Sequence, residues 1–144
     1  MPTKTLVTHS ELETSAAGRD LASYLSAGSV VLLFGDLGAG KTAFVRGLAE
    51  GLGVTSGDVS SPTFTIMQEY RGGRLPLFHA DLYRLNDARE IEELGLDELT
   101  AAGVLAIEWA DKLPQPPPNA VRVTFAHAGD TERTVTVEMR NLKC

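Results

Sequence analysis

Cysteine is almost absent from this sequence, which contains one, Cys144, among 144 residues. A single cysteine cannot form a disulfide within the chain, and a thiol at the last position lacks the surroundings that activate a nucleophile. The sequence also has no Cys/His cluster with metal-ligand spacing and no apolar run of transmembrane length. Because residues 1–10 lack the apolar core of a signal peptide as well, we expect a cytoplasmic protein that does not enter a membrane.

Basic residues are scarce: 13 lysines and arginines stand against 19 aspartates and glutamates, and the net charge is −6. Tight binding of a nucleic acid requires several cationic side chains that displace the counterions of the phosphates. No run of lysines or arginines supplies them locally. If this protein acts on RNA, we therefore expect a protein partner to hold the RNA.

Glycine is used in one diagnostic place. Residues 35–42 read GDLGAGKT, which matches the phosphate-loop pattern G-x-x-x-x-G-K-S/T. In such a loop the backbone N–H groups surround the phosphates, Lys41 reaches the β- and γ-phosphates, and the Thr42 hydroxyl ligates Mg²⁺. An apolar strand pattern precedes the loop and a helical pattern follows it, so a chance match is disfavoured. The predicted nucleotide contacts of this segment are Gly38, Ala39, Gly40, Lys41, Thr42 and Ala43.

A second pattern overlaps the first. Gly38-x-Gly40-x-x-Ala43 resembles the fingerprint of dinucleotide-binding proteins, but Lys41 and Thr42 would have no role in it. The sequence also lacks an Asn-Lys-x-Asp segment, with which GTPases commonly recognise guanine. The first observation favours a phosphate loop over a dinucleotide site, and the second favours ATP over GTP.

The pattern of apolar residues predicts an α/β fold. The predicted elements in chain order are a strand over 5–8, a helix capped by Ser10 and Glu13 and continuing toward Gly28, a strand over 29–34, a helix over 43–50, a hairpin of strands over 63–70 and 75–81, a helix over 88–96, a strand over 103–108, and a hairpin of strands over 121–126 and 133–139. Residues 54–62 and 114–118 are predicted loops. The prediction is a single P-loop NTPase domain over 1–144, with a mostly parallel central sheet, flanking helices and an antiparallel C-terminal hairpin.

Two acids follow predicted strands and are candidates to complete a nucleotide site. Asp81 and Glu108 each end an apolar segment, and a parallel sheet places such strand ends beside the phosphate loop. Either acid alone has the pattern of a carboxylate that faces solvent. Beside a phosphate loop, one of them would hold Mg²⁺ while the other orients the attacking water, and the pattern leaves open which does which.

Two neighbours of these acids have less specific patterns. His79 shares a strand face with Asp81, and a packed or hydrogen-bonded histidine is favoured over one that polarises water. Trp109 is predicted to face away from Glu108 as a core or rim aromatic, with a partner anchor as the alternative.

Four segments together resemble the TsaE (YjeE) family of bacterial ATPases, in order and spacing over almost the whole chain. They are GDLGAGKT over 35–42, SPTFT over 61–65, HADLYRL over 79–85 and IEW over 107–109. The resemblance implies a small P-loop domain that works with the TsaD–TsaB complex, which forms threonylcarbamoyladenosine beside the tRNA anticodon. TsaC-type enzymes make the activated intermediate. The implied cofactors are ATP and Mg²⁺, and the contact with tRNA is indirect.

The resemblance also assigns residues. It implies that Lys41 binds phosphates, that Thr42 and Glu108 ligate Mg²⁺, and that Asp81 is the second acid; these are the candidate catalytic and metal residues. Residues 61–63 resemble the family's switch-like loop. The family has an aromatic residue where this chain has Ala80, and this departure leaves the acid in place. Glu11 and Arg133 match nucleotide contacts of the family loosely, and a solvated strand arginine is the alternative for Arg133.

Two other functions remain open. A small-molecule kinase would need an acceptor pocket and usually a lid with arginines, and the segment 84–89 could be misread as such a lid. A non-catalytic module switched by nucleotide would keep Lys41 and Thr42 but would not depend on Asp81.

Overall fold

A computed structural model of the chain describes residues 3–35, 40–54, 67–82, 87–92, 95, 101–113, 119–129 and 132–139. Their strands form one seven-stranded sheet in the order β1-β7-β6-β2-β5-β4-β3. The strands are β1 (Thr3–Thr8), β2 (Val30–Phe34), β3 (Met67–Tyr70), β4 (Leu77–Asp81), β5 (Val104–Glu108), β6 (Val121–His127) and β7 (Arg133–Glu138). Within the described ranges the helices are α1 (Glu11–Ala22), α2 (Lys41–Gly51) and α3 (Ala88–Glu92), and a 3₁₀ turn covers Ala110–Lys112.

The centre of the sheet is parallel and its margins are antiparallel. β6, β2, β5 and β4 run in one direction, because β2 pairs in parallel with both β5 and β6, and β5 with β4. β3 is antiparallel to β4, and β7 is antiparallel to both β6 and β1. The predicted α/β fold, with its parallel centre and antiparallel C-terminal hairpin, is confirmed.

Helices cover both faces of the sheet. Alternate residues of β2 show this, since Val31 and Leu33 join the apolar cluster of α1 and α2 while Leu32 joins the cluster that contains Ile91 of α3. The apolar run of β2 is thus explained by burial on two sides, as is usual for parallel strands. Among the described residues, no helix has the length and apolar character that a membrane crossing requires.

The close crossing of α1 and α2 fixes the position of α1. A Cβ atom at Gly47 of α2 would lie 1.7 Å from the Ser15 carbonyl oxygen of α1, so this position accepts only glycine. The Thr14 methyl group likewise lies 3.3 Å from where a Cβ of Gly40 would be. The start of α1 therefore lies against the end of the phosphate loop.

Ser10 caps α1 as predicted, but the reciprocal hydrogen bond goes one residue further back. The Glu13 N–H donates to Ser10 Oγ at 3.2 Å, while Glu13 Oε1 accepts from the His9 N–H at 3.0 Å rather than from Ser10. This backbone bond, with the ring of His9, holds the pKa of the Glu13 carboxyl below its ordinary value.

The predicted continuation of α1 toward Gly28 is wrong, because the helix ends at Ala22. Arg74, at the end of the β3–β4 turn, donates to the Ala22 carbonyl at 2.7 Å and to the Leu25 carbonyl at 3.1 Å. In a longer helix, each of these carbonyls would accept from the backbone N–H group four residues further on. Here the Arg74 guanidinium donates to them. Leu25 is nevertheless buried in the same cluster, which explains its helix-like spacing.

Three other predicted boundaries fall partly on residues outside the described ranges: the first half of the strand over 63–70, most of the C-terminal half of the helix over 88–96, and the loop over 54–62 beyond Val54. The loop over 114–118 lies outside them entirely.

Candidate nucleotide and magnesium site

The phosphate-loop segment joins a buried strand to a helix, as its sequence predicts. β2 ends at Phe34, and α2 begins at Lys41. Gly40 precedes α2 with φ of 100°, a left-handed conformation that glycine adopts without strain. Residues 36–39, among them the predicted contacts Gly38 and Ala39, lie outside the described ranges.

The first turn of α2 is suited to an anion. The first N–H groups of a helix have no partner within it, and the helix dipole places partial positive charge there. No acidic side chain occupies this turn, which contains Lys41, Thr42 and Ala43 and is fully described. A phosphate would therefore meet donors and positive charge at this end of α2.

Lys41 is held by two groups from different parts of the chain. Its side chain is 3% exposed, and Nζ donates to the Gly35 carbonyl at 2.9 Å. The ammonium also lies 4.9 Å from the centre of the Trp109 ring, within the range of a cation–π interaction. Thr42, the next residue, is half-buried. The positive charge of Lys41 is thus fixed beside the loop.

The contact of Trp109 with Lys41 is the main addition that the structure makes to the predicted site. It packs against the cluster on the face opposite α2, as predicted for a rim aromatic. Among the described residues it is the one non-glycine with positive φ, 58°, a conformation that costs about 1–3 kcal/mol. The strained backbone turns the chain out of β5 and into the 3₁₀ turn. The signal in the sequence was its position directly after Glu108.

The two strand-end acids lie at the same edge of the sheet as the loop. β4 and β5 pair so that Asp81 is opposite Glu108, and Glu108 is also opposite Leu33 of β2, two residues before Gly35. Glu108 is 3% exposed and Asp81 is half-buried. The structure therefore brings together Lys41, Glu108 and Asp81, as the sequence predicts.

His79 is hydrogen-bonded within the sheet, as predicted. The side chain is 0% exposed, and its Nε2 lies 2.5 Å from Glu108 Oε2. The other ring nitrogen, Nδ1, is also buried and has no hydrogen-bond partner among the described residues. One carboxylate oxygen of Glu108, Oε2, is therefore already hydrogen-bonded to His79 at the candidate site.

The oxygen donors at this edge of the sheet suit Mg²⁺, which is usually held in part by substrate phosphates and water. They suit less well a metal ion that protein side chains coordinate completely. No group of three or more His, Cys, Asp and Glu side chains in the described ranges could hold a metal ion. Mg²⁺ is usually bound by one or two carboxylates, with substrate phosphates and water completing an octahedron of oxygens. The Glu108 carboxylate and the Thr42 hydroxyl are oxygen donors of this kind.

Glu11 and Arg133 lie at the same edge but touch the loop in no hydrogen bond found among the described residues. Glu11 is the exposed first residue of α1. Arg133 begins β7, opposite Thr8 and His127, and its Nη1 donates to the Glu132 carbonyl at 3.0 Å. Their role as nucleotide contacts remains a prediction.

A cavity of about 250 Å³ lies elsewhere, between β1, α1 and β7. Its lining includes Leu6, Leu21, Tyr24 and Met139 and none of the predicted site residues. It is therefore separate from the edge that carries Lys41 and Glu108.

Comparison with known proteins finds similar sequences over most of the chain. A family model described as "Threonylcarbamoyl adenosine biosynthesis protein TsaE" matches residues 8–135. The tRNA threonylcarbamoyladenosine biosynthesis protein TsaE of Bacillus subtilis is 48% identical over 126 residues, which are 86% of this chain and 78% of that protein. The protein of the same name from Treponema pallidum is 39% identical, over 91% of this chain and 97% of its own length.

A solved structure extends the similarity to the fold. The crystal structure of Bacillus subtilis YdiB is similar with a TM-score of 0.75 at 38% sequence identity, covering 97% of this chain and 88% of that one. With the family model matching most of the chain, these similarities show that the chain belongs to the TsaE family.

Proposed function

We propose that this chain is a Mg²⁺-dependent ATPase that supports the TsaD–TsaB complex in forming threonylcarbamoyladenosine next to the anticodon of tRNA. The observation that carries the proposal is the buried ammonium of Lys41 at the first turn of α2, on the same sheet edge as Glu108 and Asp81. A fixed cation, a helix N-terminus and two carboxylates are the groups that phosphoryl transfer requires.

Lys41 and the first turn of α2 bind the phosphates in this proposal. Bound ATP would give the Lys41 ammonium phosphate oxygens in place of the Gly35 carbonyl, while the Trp109 ring would stay within reach of the ammonium for a cation–π interaction. The ammonium then lies where negative charge develops on the transferred phosphoryl group.

The burial of the two acids separates their roles. Glu108 is buried and hydrogen-bonded to His79, so its carboxylate is restrained as a ligand should be, and we assign it with Thr42 to Mg²⁺. Mg²⁺ supplies positive charge to the phosphate oxygens when bound. Asp81 is half-buried and closer to water, so we assign it to orient the water that attacks the γ-phosphate.

The charge of the chain supports action through a partner. A partner that excludes water from a phosphoryl-transfer site would strengthen the electrostatic stabilisation of the charge that develops there. Its net charge of −6 disfavours direct binding to tRNA. We propose that TsaD–TsaB holds the tRNA and completes the ATP site. Whether ATP or its hydrolysis product is bound would then control the contact between this chain and TsaD–TsaB.

Reconstituted modification of tRNA tests this function. TsaD–TsaB is supplied with tRNA, ATP, Mg²⁺ and the activated intermediate, and threonylcarbamoyladenosine is measured by mass spectrometry over repeated turnovers. We expect product to accumulate with this chain present and to stall without it. Equal yields with and without the chain would show that it has no part in the reaction.

A mobility-shift assay tests whether the isolated chain binds tRNA. We expect no complex at micromolar concentrations and physiological salt.

A further inference from the structure

The interior of β4 contains one polar side chain, and that side chain contacts a proposed Mg²⁺ ligand. Leu77, Phe78 and Ala80 are buried apolar residues, whereas His79 is equally buried and lies 2.5 Å from Glu108 Oε2. Their strands are adjacent and parallel, with His79 opposite Ala106, so the ring reaches along the sheet to the carboxylate two residues further on.

This pair is poorly explained by stability alone. Moving a carboxylate and an imidazole out of water costs free energy that one hydrogen bond only partly returns, and apolar side chains of similar size often stabilise such positions better. The other buried residues of β4 and β5 are apolar. The two buried polar residues therefore indicate a functional role for the carboxylate.

The proposed role of Glu108 sets the direction of this hydrogen bond. A Glu108 carboxylate that ligates Mg²⁺ only accepts, so the His79 ring would donate from Nε2. Nδ1 is buried and without a partner among the described residues, so the tautomer with its proton on Nε2 leaves no N–H of the ring unpaired. The ring is therefore a donor aimed at Oε2 of Glu108, and Oε1 is the oxygen left to offer a cation.

We propose that His79 is a positioning residue for Mg²⁺, which holds the Glu108 carboxylate in one orientation so that its Oε1 is presented to the metal of a bound Mg²⁺–nucleotide. The proposal rests on the function proposed above, in which Glu108 ligates Mg²⁺. Groups that orient a metal ligand typically change metal affinity by about 10–100-fold when they are removed.

Two amide variants separate positioning from polarity. The amide nitrogen of His79→Gln is as many bonds from Cα as Nε2 and can donate to Glu108, whereas that of His79→Asn is one bond closer and falls short. Binding of a non-hydrolysable ATP analogue is measured by calorimetry at a series of Mg²⁺ concentrations, with EDTA for the metal-free baseline.

We expect the Mg²⁺ concentration for half-maximal tightening to rise about 10–100-fold in His79→Asn and to stay within about threefold of the wild type in His79→Gln. The EDTA baseline should be unchanged in both. Leu77→Val is the control, because it alters a buried residue on the same strand face without removing a group that contacts Glu108, and it should leave the Mg²⁺ dependence unchanged.

A double variant shows whether His79 acts through Glu108. In a Glu108→Gln background, His79→Asn should produce no further loss of Mg²⁺ affinity, and an additional loss would contradict the proposal. Wild-type Mg²⁺ dependence in a folded His79→Asn protein would overturn it as well. If the wild type itself shows no effect of Mg²⁺ on binding, the proposed metal site fails, which is a different result.

A measurement on the unmodified protein covers the case in which the asparagine variant does not fold. The ¹⁵N resonances of the His79 ring are followed by NMR as Mg²⁺ is added to the complex with the ATP analogue. We expect the Nε2 resonance to shift on addition of Mg²⁺, because its acceptor binds the metal. Unchanged resonances at saturating Mg²⁺ would overturn the proposal.

Discussion

Lys41→Met should abolish tight ATP binding while leaving the fold in place. The substitution removes an ammonium that is fixed by the Gly35 carbonyl and the Trp109 ring, and methionine keeps an apolar stem that can pack on that ring. In the complex the Lys41 ammonium would pair with a phosphate of ATP. Removing one partner of such a buried charge pair costs about 2–5 kcal/mol, which corresponds to a loss of about 30-fold to several thousand-fold in affinity for ATP.

Fluorescence of Trp109 can report the binding, because it is the one tryptophan of the chain and lies against Lys41. Lys4→Met is the matched control, since it makes the same exchange on exposed residue 4 of β1 and should bind ATP like the wild type. Circular dichroism checks that both variants are folded. Wild-type affinity in folded Lys41→Met would remove Lys41 from the phosphate site.

Glu108→Gln should remove most of the Mg²⁺ dependence of ATP binding. The amide is nearly isosteric, and its oxygen can still accept from His79 Nε2, so the sheet should tolerate it. The lost negative charge matters at a hard cation, and we expect the Mg²⁺ concentration for half-maximal effect to rise by at least about tenfold, or about 1.4 kcal/mol.

The measurement is a Mg²⁺ titration of ATP affinity, with the affinity in EDTA as the baseline. Glu50→Gln is the control for the change in net charge, because Glu50 pairs with Arg19 at 2.8 Å near the far end of α2. An unaltered Mg²⁺ dependence in Glu108→Gln would show that this carboxylate does not ligate the metal.

The order of elements was predictable because the sequence signals were local. Period-two and continuous apolar runs mark the strands, and the phosphate-loop pattern marks the turn between β2 and α2. The order of the strands within the sheet was harder to predict from the sequence. The predicted hairpin of β6 and β7 is confirmed, but its insertion between β1 and β2 depends on contacts between distant parts of the chain.

The end of α1 was mispredicted for the same physical reason. Leu25 has the spacing of a helical residue, but Arg74 bonds the carbonyls of Ala22 and Leu25 from about fifty positions along the chain. A contact of that range leaves no mark in the periodicity of α1.

The sequence predicts the positions of the candidate residues but not the contacts between them. Lys41, Asp81 and Glu108 are candidates because each has a motif or a strand-end position, and the structure places all three at one edge of the sheet. The contact with Lys41 is made by a Trp109 whose backbone is left-handed, a conformation that tryptophan rarely adopts. The bond of His79 to Glu108 requires the register of β4 against β5.

Phosphate release from ATP, with and without the TsaD–TsaB complex, tests the central claim most directly. The free phosphate is measured under identical Mg²⁺ and ATP concentrations, which also distinguishes hydrolysis from transfer to an acceptor. We predict slow release by the chain alone, clear acceleration by TsaD–TsaB, and loss of that acceleration in Lys41→Met and Asp81→Asn. Release by the isolated chain as fast as by the assembled complex, or acceleration that survives in Lys41→Met, would contradict the account.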